Sequence, residues 1–120
     1  MTRRMLIVDD DPGFRSWARV WLHAEGYDIV GEAGDGGSAL AEVRRLRPEV
    51  VLLDIQLPDL DGFQVTELLL LEPDPPEVVL ISSRDWGDYG DCIAASGARG
   101  FASKEELSGT TLESLLSTQP

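Results

Sequence analysis

Four groups of residues in this chain have side chains suited to acting together: the consecutive acids Asp9, Asp10 and Asp11, the acid Asp54, the hydroxyl of Ser82 and the amine of Lys104. Asp54 follows the apolar run Val50-Val51-Leu52-Leu53 and precedes Ile55. Hydrocarbon neighbours disfavour an ionised carboxylate unless a cation, a metal or a cluster of backbone amides compensates it. Asp9 and Asp10 follow a second apolar run, Met5 to Val8, and Ser82 follows a third, Val78 to Ile81. If these runs lie side by side, Asp9, Asp10 and Asp54 converge and repel one another unless a hard divalent cation binds. Donors that are all oxygen favour magnesium or manganese over zinc, and magnesium commonly keeps waters and shares a substrate phosphate. Each residue also has a structural reading: Asp54 as a turn cap, Asp9 as a solvated strand-end acid, Ser82 as a hydroxyl bonded to backbone, Lys104 as surface charge. For Asp11, just before Pro12, capping a helix is the preferred reading.

The apolar runs lack polar interruptions, which is the pattern of strands buried on both faces of a parallel sheet. Between them the period changes. Phe14, Trp17, Ala18, Trp21 and Leu22 recur at helical spacing and predict an amphipathic helix that Gly26 stops. Tyr27 to Val30 predicts a second strand, Gly31 to Gly37 a glycine-rich turn, and Ser38 the start of a second helix carrying Ala39, Leu40, Val43 and Leu46. That glycine cluster does not match a phosphate-binding fingerprint, because no helix starts on a correctly spaced glycine triplet. Gly62 to Leu71 predicts a third helix, ended by the loop Glu72-Pro73-Asp74-Pro75-Pro76-Glu77. Asp85 to Ser96 predicts a fourth, frayed by Gly87 and Gly90 at roughly 1 kcal/mol each. After a short fifth strand within Gly97 to Ala102, Thr110-Thr111-Leu112-Glu113 resembles a capping box, and Leu112, Leu115 and Leu116 form the docking stripe of a final helix. Strand then helix, five times, implies an α/β doubly wound parallel sheet with right-handed crossovers and helices on both faces.

At 120 residues the chain is expected to be one domain, residues 1–120, with enough core to need no metal or disulfide staple. Its 22 acids against 10 Lys and Arg, net -12, repel nucleic acid and anionic membranes, so neither is an expected partner of this domain by itself. The lone cysteine, Cys92, excludes an internal disulfide and suits a reducing compartment. The apolar run after Met1-Thr-Arg-Arg is far too short for a signal peptide or membrane span, and a cytoplasmic location is expected.

Taken in order, Val8-Asp9-Asp10, Leu53-Asp54 with Leu57-Pro58 and Asp61-Gly62, Ser82, and Gly97-Ala98-Arg99-Gly100-Phe101 followed by Lys104 resemble the receiver domain of bacterial response regulators. The resemblance covers essentially the whole chain. It implies a flavodoxin-like fold with strand order 2-1-3-4-5. It implies that Asp54 accepts a phosphoryl group from a phosphohistidine on a sensor histidine kinase. Asp10, Asp54 and the Gln56 backbone carbonyl would hold Mg2+, or Mn2+, with Asp9 assisting directly or through water. Lys104 would pair with Asp54 or a phosphoryl oxygen, Ser82 would bond another oxygen, and Phe101 would change rotamer with that hydroxyl. Gln56 and Arg84 occupy positions that tune dephosphorylation in the family. The signal would emerge on the face of helix four, strand five and helix five, a surface also suited to a homodimer. The closest look is to receivers attached to helix-turn-helix output domains, so transcriptional control through a C-terminal domain outside this chain is expected.

One position departs from the family pattern. Proline commonly follows the site lysine, often with a cis bond, whereas here Glu105 follows Lys104 and a trans bond is expected. Two other classes compete with the switch. A phosphorylation-independent interaction module would keep the acidic pocket unused. A magnesium-dependent aspartyl phosphatase would be a true enzyme, but the families with that chemistry place a second acid two residues after the nucleophile, where this chain has Gln56. The switch itself would catalyse only its own phosphorylation and dephosphorylation.

Overall fold

The computed structural model describes residues 3–83 and 90–116. Apolar runs and amphipathic stretches alternate as β1 (Arg4–Val8), α1 (Pro12–Ala24), β2 (Asp28–Ala33), α2 (Gly36–Leu46), β3 (Val50–Asp54), α3 (Gly62–Leu69), β4 (Glu77–Ser82), α4 (Gly90–Ser96), β5 (Gly100–Ser103) and α5 (Gly109–Leu116). The strands form one parallel sheet in the order β2-β1-β3-β4-β5. Chain order reverses between β1 and β3, the place where open α/β sheets present ligand sites beyond their carboxyl ends.

Every residue of β3 is buried, because helices cover both faces of the sheet. Side chains alternate along each strand and so divide into two cores. Met5, Ile7 and Leu52 pack with Leu22 of α1 and with Leu112 and Leu116 of α5. Leu6, Leu53 and Leu80 pack on the opposite face with Val43 of α2, Val65 of α3 and Ile93 of α4. Burying each such aliphatic side chain stabilises the fold by about 1.5–3 kcal/mol, which drives helices too short to persist alone onto the sheet.

The predicted fold class, strand order and five helices are all present. Several boundaries differ, each for a physical reason. β2 runs through Gly31 to Ala33 instead of stopping at Val30, and Gly31 lies within a strand. A Cβ there would sit 2.7 Å from Leu46 Cδ1, so its glycine serves close packing of α2 on the sheet. α2 starts at Gly36, two residues before Ser38, because Asp35 is its cap and accepts the Ser38 amide at 2.7 Å. α3 ends at Leu69, two residues early. The Leu71 and Glu72 amides bond back only three residues, to Leu68 and Leu69, and Pro73 then disfavours helical backbone at Glu72. The cap of α5 is Ser108, not Thr110: its hydroxyl accepts the Thr111 amide at 3.1 Å and its carbonyl the Leu112 amide at 3.0 Å. In the expected fourth helix, Gly90–Ser96 is helical, and the stretch from Asp85 through Gly87 to Tyr89 lies outside the described residues.

Candidate functional site

The carboxyl ends of β1, β3, β4 and β5 bring the predicted residues together. β1 and β3 are neighbours, so the acids that follow one and end the other meet: a carboxylate oxygen from each of Asp9, Asp10 and Asp54 lies within 4.8 Å of the others. Asp9 is fully buried and Asp54 only 5 % exposed, while Asp10 is exposed. The local backbone sets these positions. Asp11 caps α1 by accepting the Gly13 amide at 2.9 Å, Pro12 supplies the first helical residue, and the Asp11 amide returns a bond to Asp9 Oδ1 at 2.9 Å. Arg15, one turn on, donates to the Asp9 carbonyl at 2.6 Å and pairs with Glu32 of β2.

Asp54 lies between apolar strand neighbours and the Asp9 carboxylate. Burial first, and then the charge on Asp9, push its carboxyl up to about 6 from an ordinary 3.8, against the opposing pull of the Lys104 ammonium and the Gln56 amide. The Gln56 amide donates to Asp54 Oδ1 at 3.2 Å, and the Gln56 side chain is exposed. The turn beyond it closes where Asp59 accepts the Gly36 and Gly37 amides at 2.7 and 2.9 Å, tying the loop after β3 to the start of α2. Asp61 and Gln64 form a reciprocal capping box that starts α3.

Lys104 reaches both buried acids, unequally. Its Nζ lies 2.6 Å from Asp9 Oδ2 and 3.6 Å from Asp54 Oδ2. The pairing expected with Asp54 is therefore present as the longer contact, and Asp9 is the nearer partner. Desolvation is the largest single influence on Lys104 and opposes its charge, but the two carboxylates outweigh it and hold the ammonium above the usual lysine range. Asp9 Oδ2 has no aligned hydrogen bond, only this ion pair. A buried oxygen of that kind, beside two more carboxylates and no nitrogen or sulfur donor, fits a hard cation.

The loop carrying Lys104 is held without proline. No cis peptide occurs among the described residues. The Lys104 amide bonds the Ser82 carbonyl at 2.8 Å, the Ser103 hydroxyl donates to Glu106 Oε1 at 2.8 Å, and the Glu106 amide returns to Ser103. Ser82 is fully buried at the end of β4, where it pairs in register with Ser103. Phe101 is partly buried in β5 and packs against the α2, α3 and α4 side of the sheet. Arg84, with Trp86 and Tyr89, lies outside the described residues.

Three contributors were not legible as site residues: Phe14, whose ring centroid lies 4.5 Å from Lys104 Nζ, Arg15 on the Asp9 carbonyl, and the Ser103–Glu106 pair. Phe14 shares the helical spacing of Trp17 and Trp21, which reads as a core stripe. Only the return of the chain 90 residues later places a cation over its ring.

This doubly wound sheet, with an acidic pocket beyond its carboxyl edge, has its counterpart in a known family. Residues 5–115 match the response regulator receiver domain family, and the chain belongs to it. It is 41% identical over 88 residues to the DNA-binding response regulator MtrA of Mycolicibacterium smegmatis, covering 73% of this chain and 38% of that protein. To the DNA-binding transcriptional activator EvgA of Escherichia coli K12 it is 34% identical over 101 residues, 84% of this chain and 50% of that one. Among solved structures, the signal receiver domain of the response regulator NarL from Mycobacterium tuberculosis superposes with a TM-score of 0.82 at 30% identity, covering 97% of this chain and 98% of that one. The chain thus spans half or less of the length of these two DNA-binding relatives. No helix among the described residues is long and apolar enough to cross a membrane.

Proposed function

We propose that this receiver is a phosphorylation switch in which Asp54 is the acceptor. The observation that carries the reading is the burial of Asp54 at the end of β3, facing Lys104 and within reach of Asp9 and Asp10. With its carboxyl at about 6, Asp54 is mainly ionised at neutral pH and so nucleophilic. A carboxylate oxygen attacks the phosphorus of a phosphohistidine on a sensor histidine kinase. The O–P bond forms as the P–N bond breaks, and the imidazole leaves with the electron pair and takes up a proton. Asp9, Asp10, Asp54 and the Gln56 carbonyl would hold Mg2+, with Mn2+ as a substitute. When bound, the ion neutralises charge gathering on the transferred phosphoryl group.

The chain's own residues do the rest. Lys104 meets a phosphoryl oxygen, Ser82 bonds another, and Phe101 follows Ser82 and alters the face of α4, β5 and α5. Gln56 and Arg84 set how long the acyl phosphate survives. That face would pass the signal to a DNA-binding output domain of the kind named for the relatives, or join two copies. The domain catalyses only its own phosphoryl transfer and loss.

Intact mass after incubation with magnesium and phosphoramidate tests this reading. One added phosphoryl group is expected, dependent on magnesium and absent from Asp54→Asn. No gain, either from phosphoramidate or from a cognate kinase, would leave an acidic interaction module as the better description.

A further inference from the structure

We propose that Phe14 is a positioning residue for Lys104, its ring face holding the ammonium at the acidic pocket while the ion pair with Asp9 gives way to the incoming phosphoryl group. The inference rests on the role given to Lys104 above. The backbone of Lys104 is pinned to Ser82, but its long side chain rotates about several bonds, so something beyond the backbone must direct Nζ. Besides Asp54, the longer contact at 3.6 Å, two groups do so in this structure. Asp9 Oδ2 lies at 2.6 Å, and the Phe14 ring centroid at 4.5 Å, inside the range of a cation–π contact.

The two holders differ in what they do to the chemistry. A carboxylate attracts the ammonium but repels a phosphoryl group. A phenyl ring attracts the cation through its quadrupole and carries no net charge, so it keeps Lys104 in place without opposing the substrate. The ring is itself braced. Phe14 and Trp17 rings lie 5.8 Å apart and tilted by 45°, and Trp17 stacks on Trp21 at 5.6 Å and 5°, one aromatic per turn along α1, with Phe14 and Trp21 packed against the core. α1 starts directly after Asp9-Asp10-Asp11, so one short stretch of chain carries both the acids and the ring that steers their counter-charge.

The test uses the 120-residue chain with Phe14 replaced by phenylalanines of increasing ring fluorination, which weaken the quadrupole with little change in shape, and with Phe14→Leu. Two quantities are read: the rate of magnesium-dependent phosphorylation by phosphoramidate, and the proton shifts of the Lys104 ε-methylene. The expected result is a graded fall in rate reaching about three- to tenfold, with Lys104 resonances moving out of the ring current in Phe14→Leu. In a Lys104→Met background the fluorine dependence should vanish. A rate indifferent to fluorination, with Lys104→Met still slow, would overturn the inference and leave the role of Lys104 standing. A rate unchanged by Lys104→Met would overturn both.

Discussion

At Asp54 the chain keeps a carboxylate among aliphatic side chains and beside a second buried acid, and the cost can be measured. The folded-state value of about 6 lies above the ordinary 3.8, so the native state binds this proton more tightly than the unfolded chain does. The sign follows from linkage. Below about pH 4 Asp54 is neutral in both states and costs nothing; as pH rises through about 6, stability is lost. A shift of this size corresponds to on the order of 3 kcal/mol. In chelator, Asp54→Asn should therefore raise the urea midpoint at neutral pH, and the gain should disappear toward pH 4. A gain independent of pH would point to packing instead of charge. Lys104 would not lose its place in that variant, since its nearer partner is Asp9.

Among the elements, the loop between β3 and α3 positions the site most directly. Gly62 starts α3 so close beneath Asp54 that a Cβ would lie 2.7 Å from Ile55 Cα and 2.8 Å from the Asp54 carbonyl oxygen. Both obstacles are backbone, so neither can rotate away. Gly62→Ala is expected to cost about 2–3 kcal/mol by urea denaturation and to slow phosphorylation as well, because relief requires moving the residue that reacts. This gives a physical reason for the Asp61-Gly62 pair: the acid caps the helix and the glycine lets it approach the strand. The β5–α5 loop solves a related problem differently. With no proline after Lys104, Ser103 and Glu106 close a hydrogen-bonded turn around it.

For the molecule as a whole, 22 acids against 10 bases mean that any cation relieves some repulsion, so a general salt effect must be separated from site binding. Magnesium at about 100 times its dissociation constant should stabilise the native state by about 2.7 kcal/mol. The thermal midpoint should then rise above that in sodium chloride of equal ionic strength, and Asp10→Asn should remove most of the difference. Equal midpoints in the two salts would mean that the three carboxylates bind no divalent ion strongly.

Much of this was legible in the residues themselves. Uninterrupted apolar runs can only be buried on both faces, so a parallel sheet follows from Val50 to Leu53 and its counterparts, and acids at their ends mark the site. The boundary at Gly31 was not legible, because it depends on Leu46, distant in sequence, while those at Ser38 and Leu71 are set by local bonds, the Asp35 cap and the tight turn after Leu69, which apolar periodicity does not report. The same holds within the site. Sequence order names Asp9, Asp54 and Lys104, but which acid lies nearer the ammonium, and that Phe14 lies against it, depend on distances set only when β1, β3, β5 and α1 pack together. Charge and hydrophobicity are carried by single residues; Coulombic and cation–π preferences belong to pairs, and only the tertiary structure makes the pairs.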